Sequence, residues 1–306
     1  MIDTLAAGSY TGSMQTKPKL IAILGPTASG KSSLGIQCAR KTNGEIISVD
    51  SRQVYRGLDI GSGKVAKEEQ AMISHHLLDV VEPGEPYSLS HFQKDAFSAI
   101  NDVVSRGALP YLVGGTALYA YAVIDNYLLS ETPPSESLRK ELALQSLADL
   151  QSQVPKGLLN DDDYRNPRRL IRVIEKMRFG DPIEQQKSPA KYDTLLIGID
   201  VLRDELYKKI DKRVDERVAE GMIAEIEGLR NGGERDPWLV GLGLEYRYIT
   251  EFLAGEWETQ DIMLKRLKGA IHAFSRRQMT WFRKDKRIHW VTSEQEATKQ
   301  IERFLE

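Results

Sequence analysis

The chain has 306 residues, enough for one large domain with an insertion or for two domains. A net charge of −2 gives no global sign of a nucleic-acid partner, so any such surface has to come from local clustering, and a single cysteine, Cys38, excludes a disulfide framework and a cysteine metal cluster. No apolar run approaches the ~20 residues of a membrane span, and residues 1–18 lack the apolar centre of a signal peptide, so they read as a disordered extension on a cytoplasmic protein.

The apolar run Leu20-Ile21-Ala22-Ile23-Leu24 reads as a short buried strand. It leads into Gly25-Pro-Thr-Ala-Ser-Gly-Lys-Ser32, after which Ser32 to Arg40 is free of proline and suits a helix. Strand, glycine loop and helix are the context that makes G-x-x-x-x-G-K-[ST] a phosphate loop. Glycines let successive N–H groups converge on one anion, and the helix N-terminus adds partial positive charge. Lys31 adds a full charge, and the Ser32 hydroxyl is a ligand type that Mg²⁺ accepts. The chain is therefore expected to bind a di- or triphosphate.

Glu45 to Asp50 is the second expected strand, with Asp50 at the end where parallel sheets hold their ligands. A glycine-punctuated loop follows, through Gly57 and Gly61. His75 and His76 are adjacent, so in a strand they point to opposite faces, which favours a structural role over a shared metal. Ser90 to Arg106 has helical apolar spacing, and Pro110 to Thr116 reads as a strand ending in a glycine turn. Gly114 and Gly115 stand where many phosphate-loop enzymes carry a strand-end aspartate.

From Ser130 to Asn166 the texture changes: Pro133-Pro134, a polar Leu- and Gln-rich helix and Asn160-Asp-Asp-Asp163 look like an insertion with little core of its own. Arg165 to Arg178 is an expected basic helix, Thr194 to Asp200 a late strand, and Val201 to Arg230 a long amphipathic helix or helix pair. Asp261 to Arg283 has Met263, Leu267, Ile271, Phe274 and Trp281 on one face and Lys265, Lys268, His272, Arg276 and Arg283 on another. Between residues 262 and 287 nine Lys or Arg stand against one acid, Asp285, which on a nearly neutral chain points to a polyanion surface.

A phosphate loop facing a carboxylate suits two chemistries. In a kinase the aspartate takes a proton from an acceptor hydroxyl; in an alkyl transfer the loop holds a diphosphate leaving group while the aspartate assists the nucleophile. The residues alone leave both open.

The combined motifs carry a resemblance. Gly25 to Ser32, Ser48-Val-Asp-Ser-Arg-Gln-Val-Tyr55, Leu58-Asp-Ile-Gly61, His75-His-Leu-Leu-Asp79, Gly114-Gly-Thr-Ala-Leu-Tyr119, Asn166 to Glu175 and Arg276-Arg-Gln-Met-Thr-Trp281 together resemble the tRNA dimethylallyltransferases over residues 19 to 290. That resemblance implies an α/β phosphate-loop fold: a parallel sheet flanked by helices over 19–130 and 166–306, with a helical insertion at 131–165 that grips the anticodon loop. It implies transfer of a dimethylallyl group from its diphosphate to N6 of adenine 37 in tRNA, with Mg²⁺ and a monomeric protein.

By the same resemblance Asp50 is the general base, and Thr27 and Arg213 contact the diphosphate. Gly25, Pro26, Thr27, Ala28, Ser29, Gly30, Lys31 and Ser32 form its loop, with Ser32 the metal ligand. Asp50, Ser51, Arg52, Gln53 and Thr116 lie near the flipped adenine, and Arg168, Arg169, Arg172, Tyr246 and Arg247 meet the RNA. Three features depart from the family pattern: Glu245-Tyr246-Arg247 replaces Gly-Tyr-Arg, Ser62-Gly-Lys-Val65 replaces Thr-Ala-Lys-Pro, and the insertion is shorter than typical and lacks the Asp-Pro and His-Pro marks before Asn166. A small-molecule kinase, a transferase acting on free adenine nucleotides and an RNA-binding protein without activity remain alternatives at this stage.

Overall fold

The computed structural model describes residues 16–129, 135–181 and 186–306. Residues 1–15, most of the expected extension, lie outside the described residues, as do Pro133-Pro134. The strands are β1 (Lys19–Leu24), β2 (Gly44–Val49), β3 (His75–His76), β4 (Leu109–Gly114), β5 (Tyr127–Leu128), β6 (Gln186–Lys187), β7 (Asp193–Ile199) and β8 (Ile288–Val291). Six form one parallel sheet in the order β3-β2-β4-β1-β7-β8. Helices cover both faces, so the central strand β1 is apolar after Lys19, with Leu20 to Leu24 fully buried.

One face packs Leu20, Ala22, Leu24, Leu112 and Phe92 with helices Leu89–Ser105 and Ala117–Ile124. The other packs Ile21, Ile23, Tyr111 and Ile197 against helices Lys31–Lys41 and Glu294–Leu305. The carboxyl ends of β1, β4 and β2, neighbours in the sheet, deliver the phosphate loop, the Gly114-Gly115 turn and Asp50 to one edge. Gly114 is needed there for backbone packing: a Cβ would lie 2.1 Å from the Val49 carbonyl oxygen.

A helical lobe sits beside that edge. The expected helix over 201–230 is a pair, Arg203–Glu220 and Met222–Asn231, broken at Gly221. With helices Asp236–Leu242, Leu244–Leu253 and Gln260–Phe282 they bury Leu206, Ile210, Val214, Ile226, Tyr246 and Leu267 in a third core.

The insertion has a core of its own, contrary to the reading from its polar composition. Leu138, Leu142, Leu150 and Val154 pack on Leu170, Val173 and Ile174 of helix Pro167–Phe179. That basic helix therefore shares its buried face with the short helices that precede it. Few apolar residues suffice because they cluster on the inner faces of short helices. Buried Glu175 adds polar structure, accepting from both Nε and Nη2 of Arg139 at 2.8 Å, from Arg172 at 2.9 Å and from the Ser135 N–H at 3.0 Å.

Antiparallel pairing of β5 with β6, Tyr127 opposite Lys187, ties the chain where it leaves and re-enters the main body. Asp125, just before β5, accepts from Lys187 at 2.6 Å and from Arg287 at 2.7 Å. No helix among the described residues is long and apolar enough to cross a membrane.

Candidate active site

The cleft at the sheet edge encloses about 220 Å³. Thr27, Lys31 and Ser32 of the phosphate loop line it, with Asp50 to Gln53, Gly61 to Gly63, Gly114 to Thr116, Arg213, Arg217, Glu245, Phe274 and Gln278. Thr27, Lys31, Ser32, Asp50, Ser51, Arg52, Gln53, Thr116 and Arg213, singled out from the sequence, thus meet in one place although they lie on four separate segments. Gly25, Pro26, Ala28, Ser29 and Gly30 complete the loop; Ala28 takes a left-handed backbone (φ +59°). The buried Ser29 hydroxyl has no hydrogen-bond partner among the described residues.

Lys31 opens the helix Lys31–Lys41 and donates to the Pro26 carbonyl at 3.0 Å. Burial lowers its pKa to about 8; Arg213 and Arg217 push the same way, and Asp50 opposes them. Burial followed by Arg217 lowers Arg213 to about 10, so it stays charged at neutral pH. Asp50 follows β2, and its Oδ1 accepts the Arg52 N–H at 2.9 Å, which orients the carboxylate. Lys31, Arg213 and Arg217 therefore share one cleft with an oriented carboxylate.

Three further residues, given no role in the sequence reading, shape the site. Gln278 accepts from the Thr27 N–H at 3.0 Å and donates to the Gly115 carbonyl at 2.9 Å. Glu225 accepts from the N–H groups of Asp59, Ile60 and Gly61 at 3.0, 2.6 and 2.9 Å, holding the loop over the cleft. Arg217 lies four residues after Arg213 on helix Arg203–Glu220, hence on the same face, which is the signal that would have found it.

Other expected contacts fall differently. Gln53 is buried, accepts from Ser48 Oγ at 2.9 Å and donates to the Gly63 carbonyl at 3.1 Å, so its amide braces the cleft wall. Tyr246 is 1% exposed, its hydroxyl 3.4 Å from Glu225, rather than on the surface where the sequence reading puts an RNA contact. Arg172 faces Glu175, whereas Arg168, Arg169 and Arg247 are exposed. Arg169 lies 3.5 Å from Asp163 and Arg247 4.0 Å from Glu251.

The basic stripe of helix Gln260–Phe282 is largely a seam between elements. Lys268 meets Asp215 at 2.6 Å, His272 meets Asp211 at 2.8 Å, Arg276 donates to Tyr207 Oη at 2.6 Å and Arg283 donates to Asp200 at 3.1 Å. Asp211 and Asp215 on the facing helix, invisible in a count along one segment, take up Lys268 and His272. His76 pairs with Glu45 at 2.7 Å and His75 Nδ1 lies 2.9 Å from the Ile73 carbonyl. Among the described residues no His, Cys, Asp and Glu cluster of three or more could hold a metal.

Comparison with known proteins places this architecture. The IPP transferase family model matches residues 53–285, and an isopentenyl transferase model matches residues 18–80. A tRNA dimethylallyltransferase of Citrifermentans bemidjiense is 43% identical over 281 residues, covering 90% of each chain. One of Bacteroides fragilis is 40% identical, covering 89% of this chain and 92% of its own. Among solved structures, the full-length tRNA isopentenylpyrophosphate transferase of Bacillus halodurans superposes with a TM-score of 0.72 at 35% identity, over 94% of this chain and 96% of its own. A eukaryotic dimethylallyltransferase acting on tRNA gives 0.70 at 26% identity, over 86% of this chain and 69% of its own. With its phosphate loop, its parallel sheet and a family match over most of its length, the chain belongs to the IPP transferase family.

Proposed function

We propose that this protein is a tRNA dimethylallyltransferase, moving a dimethylallyl group from dimethylallyl diphosphate to N6 of adenine 37 and releasing diphosphate. The observation that carries the reading is the opposition, within one cleft, of Lys31, Arg213 and Arg217 to the oriented carboxylate of Asp50. The cations match a diphosphate leaving group; the carboxylate matches an amine that must lose a proton.

In the reaction N6 attacks the allylic carbon, the bond from that carbon to the diphosphate oxygen breaks, and the N6 proton passes to Asp50. An exocyclic adenine amine is a weak nucleophile because its lone pair is delocalised into the ring. A positioned base contributes about 10²–10⁴-fold. Negative charge grows on the departing oxygen, and Lys31 and Arg213 in the cleft lining supply the positive charge that stabilises it. N6 is reached only after the base leaves its stack, which favours an unpaired loop nucleotide. Exposed Arg168, Arg169 and Arg247 are the side chains we assign to the RNA backbone.

The residues fit Mg²⁺. Ser32 offers an exposed hydroxyl beside the loop, and no carboxylate cage competes among the described residues. Mg²⁺ takes few protein ligands and fills its shell with phosphate oxygens and water. When bound it would neutralise charge on the diphosphate, with Ser32 as its protein ligand. The absence of such a cage also separates this site from centres built wholly of protein ligands.

Incubation with dimethylallyl diphosphate, Mg²⁺ and bulk tRNA, followed by mass analysis of the nucleosides, tests the proposal. A dimethylallyl-adenosine product is expected. Release of ADP from ATP without alkylation would replace the reading with a kinase, and efficient modification of free AMP would replace the acceptor.

A further inference from the structure

Arg217 is the least explained charge in the cleft. Its side chain is 9% exposed, and it shares a helical face with Arg213, so two guanidiniums converge beside Lys31. Like charges brought together out of water raise the energy of the unliganded protein. The local backbone is shaped for them. Gly63 has φ +61°, and a Cβ there would lie 1.3 Å from Arg217 Nη2 and 2.2 Å from Arg213 Nη2. The Gly63 carbonyl also accepts weakly from Arg213 Nη2, at 3.4 Å.

Glu245 supplies the counter-charge, with Oε1 3.5 Å from Arg217 Nη1. Gly63 and Glu245 are two of the positions where this chain departs from its family pattern at the cleft, and both touch Arg217. A glycine that admits a guanidinium and an acid that balances it form one local arrangement. At 3.5 Å the pair is loose, so an anion of higher charge has room to compete for the guanidinium.

We propose that Arg217 is a second guanidinium of the diphosphate site and that Glu245 is the counter-ion it exchanges for the donor's phosphates. The inference rests on reading the cleft as a diphosphate site. Arg217 then binds the donor and stabilises the leaving group, while Glu245 weakens binding of donor and product alike and so favours release of diphosphate.

The test measures binding of dimethylallyl diphosphate and of inorganic diphosphate by calorimetry, and single-turnover transfer to tRNA, for wild type, Arg217→Gln, Arg217→Lys and Glu245→Gln. Arg217→Gln should weaken both diphosphates about tenfold or more, as loss of a charge-assisted contact implies, with tRNA affinity within about twofold. Arg217→Lys should recover part of the loss. Glu245→Gln, which leaves the Arg217 guanidinium without its counter-ion, should shift affinity the other way and tighten inorganic diphosphate several-fold. Diphosphate binding unchanged in Arg217→Gln, or weakened rather than tightened in Glu245→Gln, would overturn the assignment. Wild-type protein that binds neither diphosphate would overturn the functional reading and this inference together. Wild-type binding with no effect in Arg217→Gln removes the inference alone.

Discussion

Gln278 joins two strand ends through one side chain: its amide accepts from the Thr27 N–H at 3.0 Å and donates to the Gly115 carbonyl at 2.9 Å. The phosphate loop after β1 and the turn after β4 are thereby fixed to helix Gln260–Phe282, which enters the cleft from the neighbouring lobe. Gln278→Ala should leave a buried N–H and carbonyl unpaired, costing on the order of 1–3 kcal/mol. We expect donor affinity to fall about tenfold or more, with RNA affinity unchanged. Gln278→Glu keeps the Thr27 contact and loses the Gly115 one, so an intermediate affinity by calorimetry checks that both bonds matter.

Lys31 supports a prediction with a defined sign. Burial, then Arg213 and Arg217, lower its pKa to about 8 in the unliganded protein. An anion binds its charged form, so donor affinity should hold below pH 8 and decline as pH rises through that value. Binding near pH 8 should also take up a proton, measurable by calorimetry in buffers of different ionisation enthalpy. Lys31→Ala should remove both effects and nearly abolish donor binding.

For Asp50, orientation by the Arg52 N–H at 2.9 Å makes position and proton transfer separable. Asp50→Asn keeps the shape and removes the base. Single-turnover transfer should slow by roughly 10²-fold or more, with donor and RNA still bound at wild-type affinity. A rate within a few-fold of wild type would leave Asp50 a structural role.

The insertion offers an acid-sensitivity test. Burial of Glu175 alone would raise its pKa, but Arg139, Arg172 and the Ser135 N–H outweigh burial and hold it below the ordinary carboxylate value. A depressed carboxylate stabilises the fold above its unfolded pKa, ~4, and that stability is lost as pH falls through the folded value. Amide exchange across residues 138–174 should therefore rise in acid. Arg139→Met should raise it at neutral pH as well, and should weaken tRNA binding without touching the donor.

Salt dependence separates the arginines. Arg168 is exposed, while Arg276 is engaged with Tyr207 and Arg283 with Asp200. Arg168→Ala should weaken tRNA binding and lower the magnitude of the log–log salt slope by about 0.7 per lost contact. Arg283→Ala, which breaks a contact within the protein, should leave the slope unchanged.

Much of the architecture is legible along the chain because apolar runs and glycine loops are local signals. β1, β2, β4, β7 and the helices over 89–105 and 260–282 emerge within a few residues of their observed limits. What is not local is less legible. The basic stripe on residues 265–283 reads as a polyanion surface until helix Arg203–Glu220 brings Asp211 and Asp215 against it. Tyr246 lies in a motif yet is buried, because the helix Leu244–Leu253 turns that position towards the Glu225-held loop. Glu225, Gln278 and Arg217 act through backbone groups or neighbours far off in sequence, so their chemistry appears only when the chain is folded.

The β5–β6 pair, with Asp125 bonded to Lys187 and Arg287, brings the two ends of the insertion side by side. A segment whose ends meet behaves as an exchangeable cassette: its length and helices can drift between relatives without shifting the sheet edge where Asp50 and Lys31 stand. The cassette and the cleft are thus free to evolve at different rates in one chain, and this neck is the natural junction at which to exchange one relative's cassette for another's.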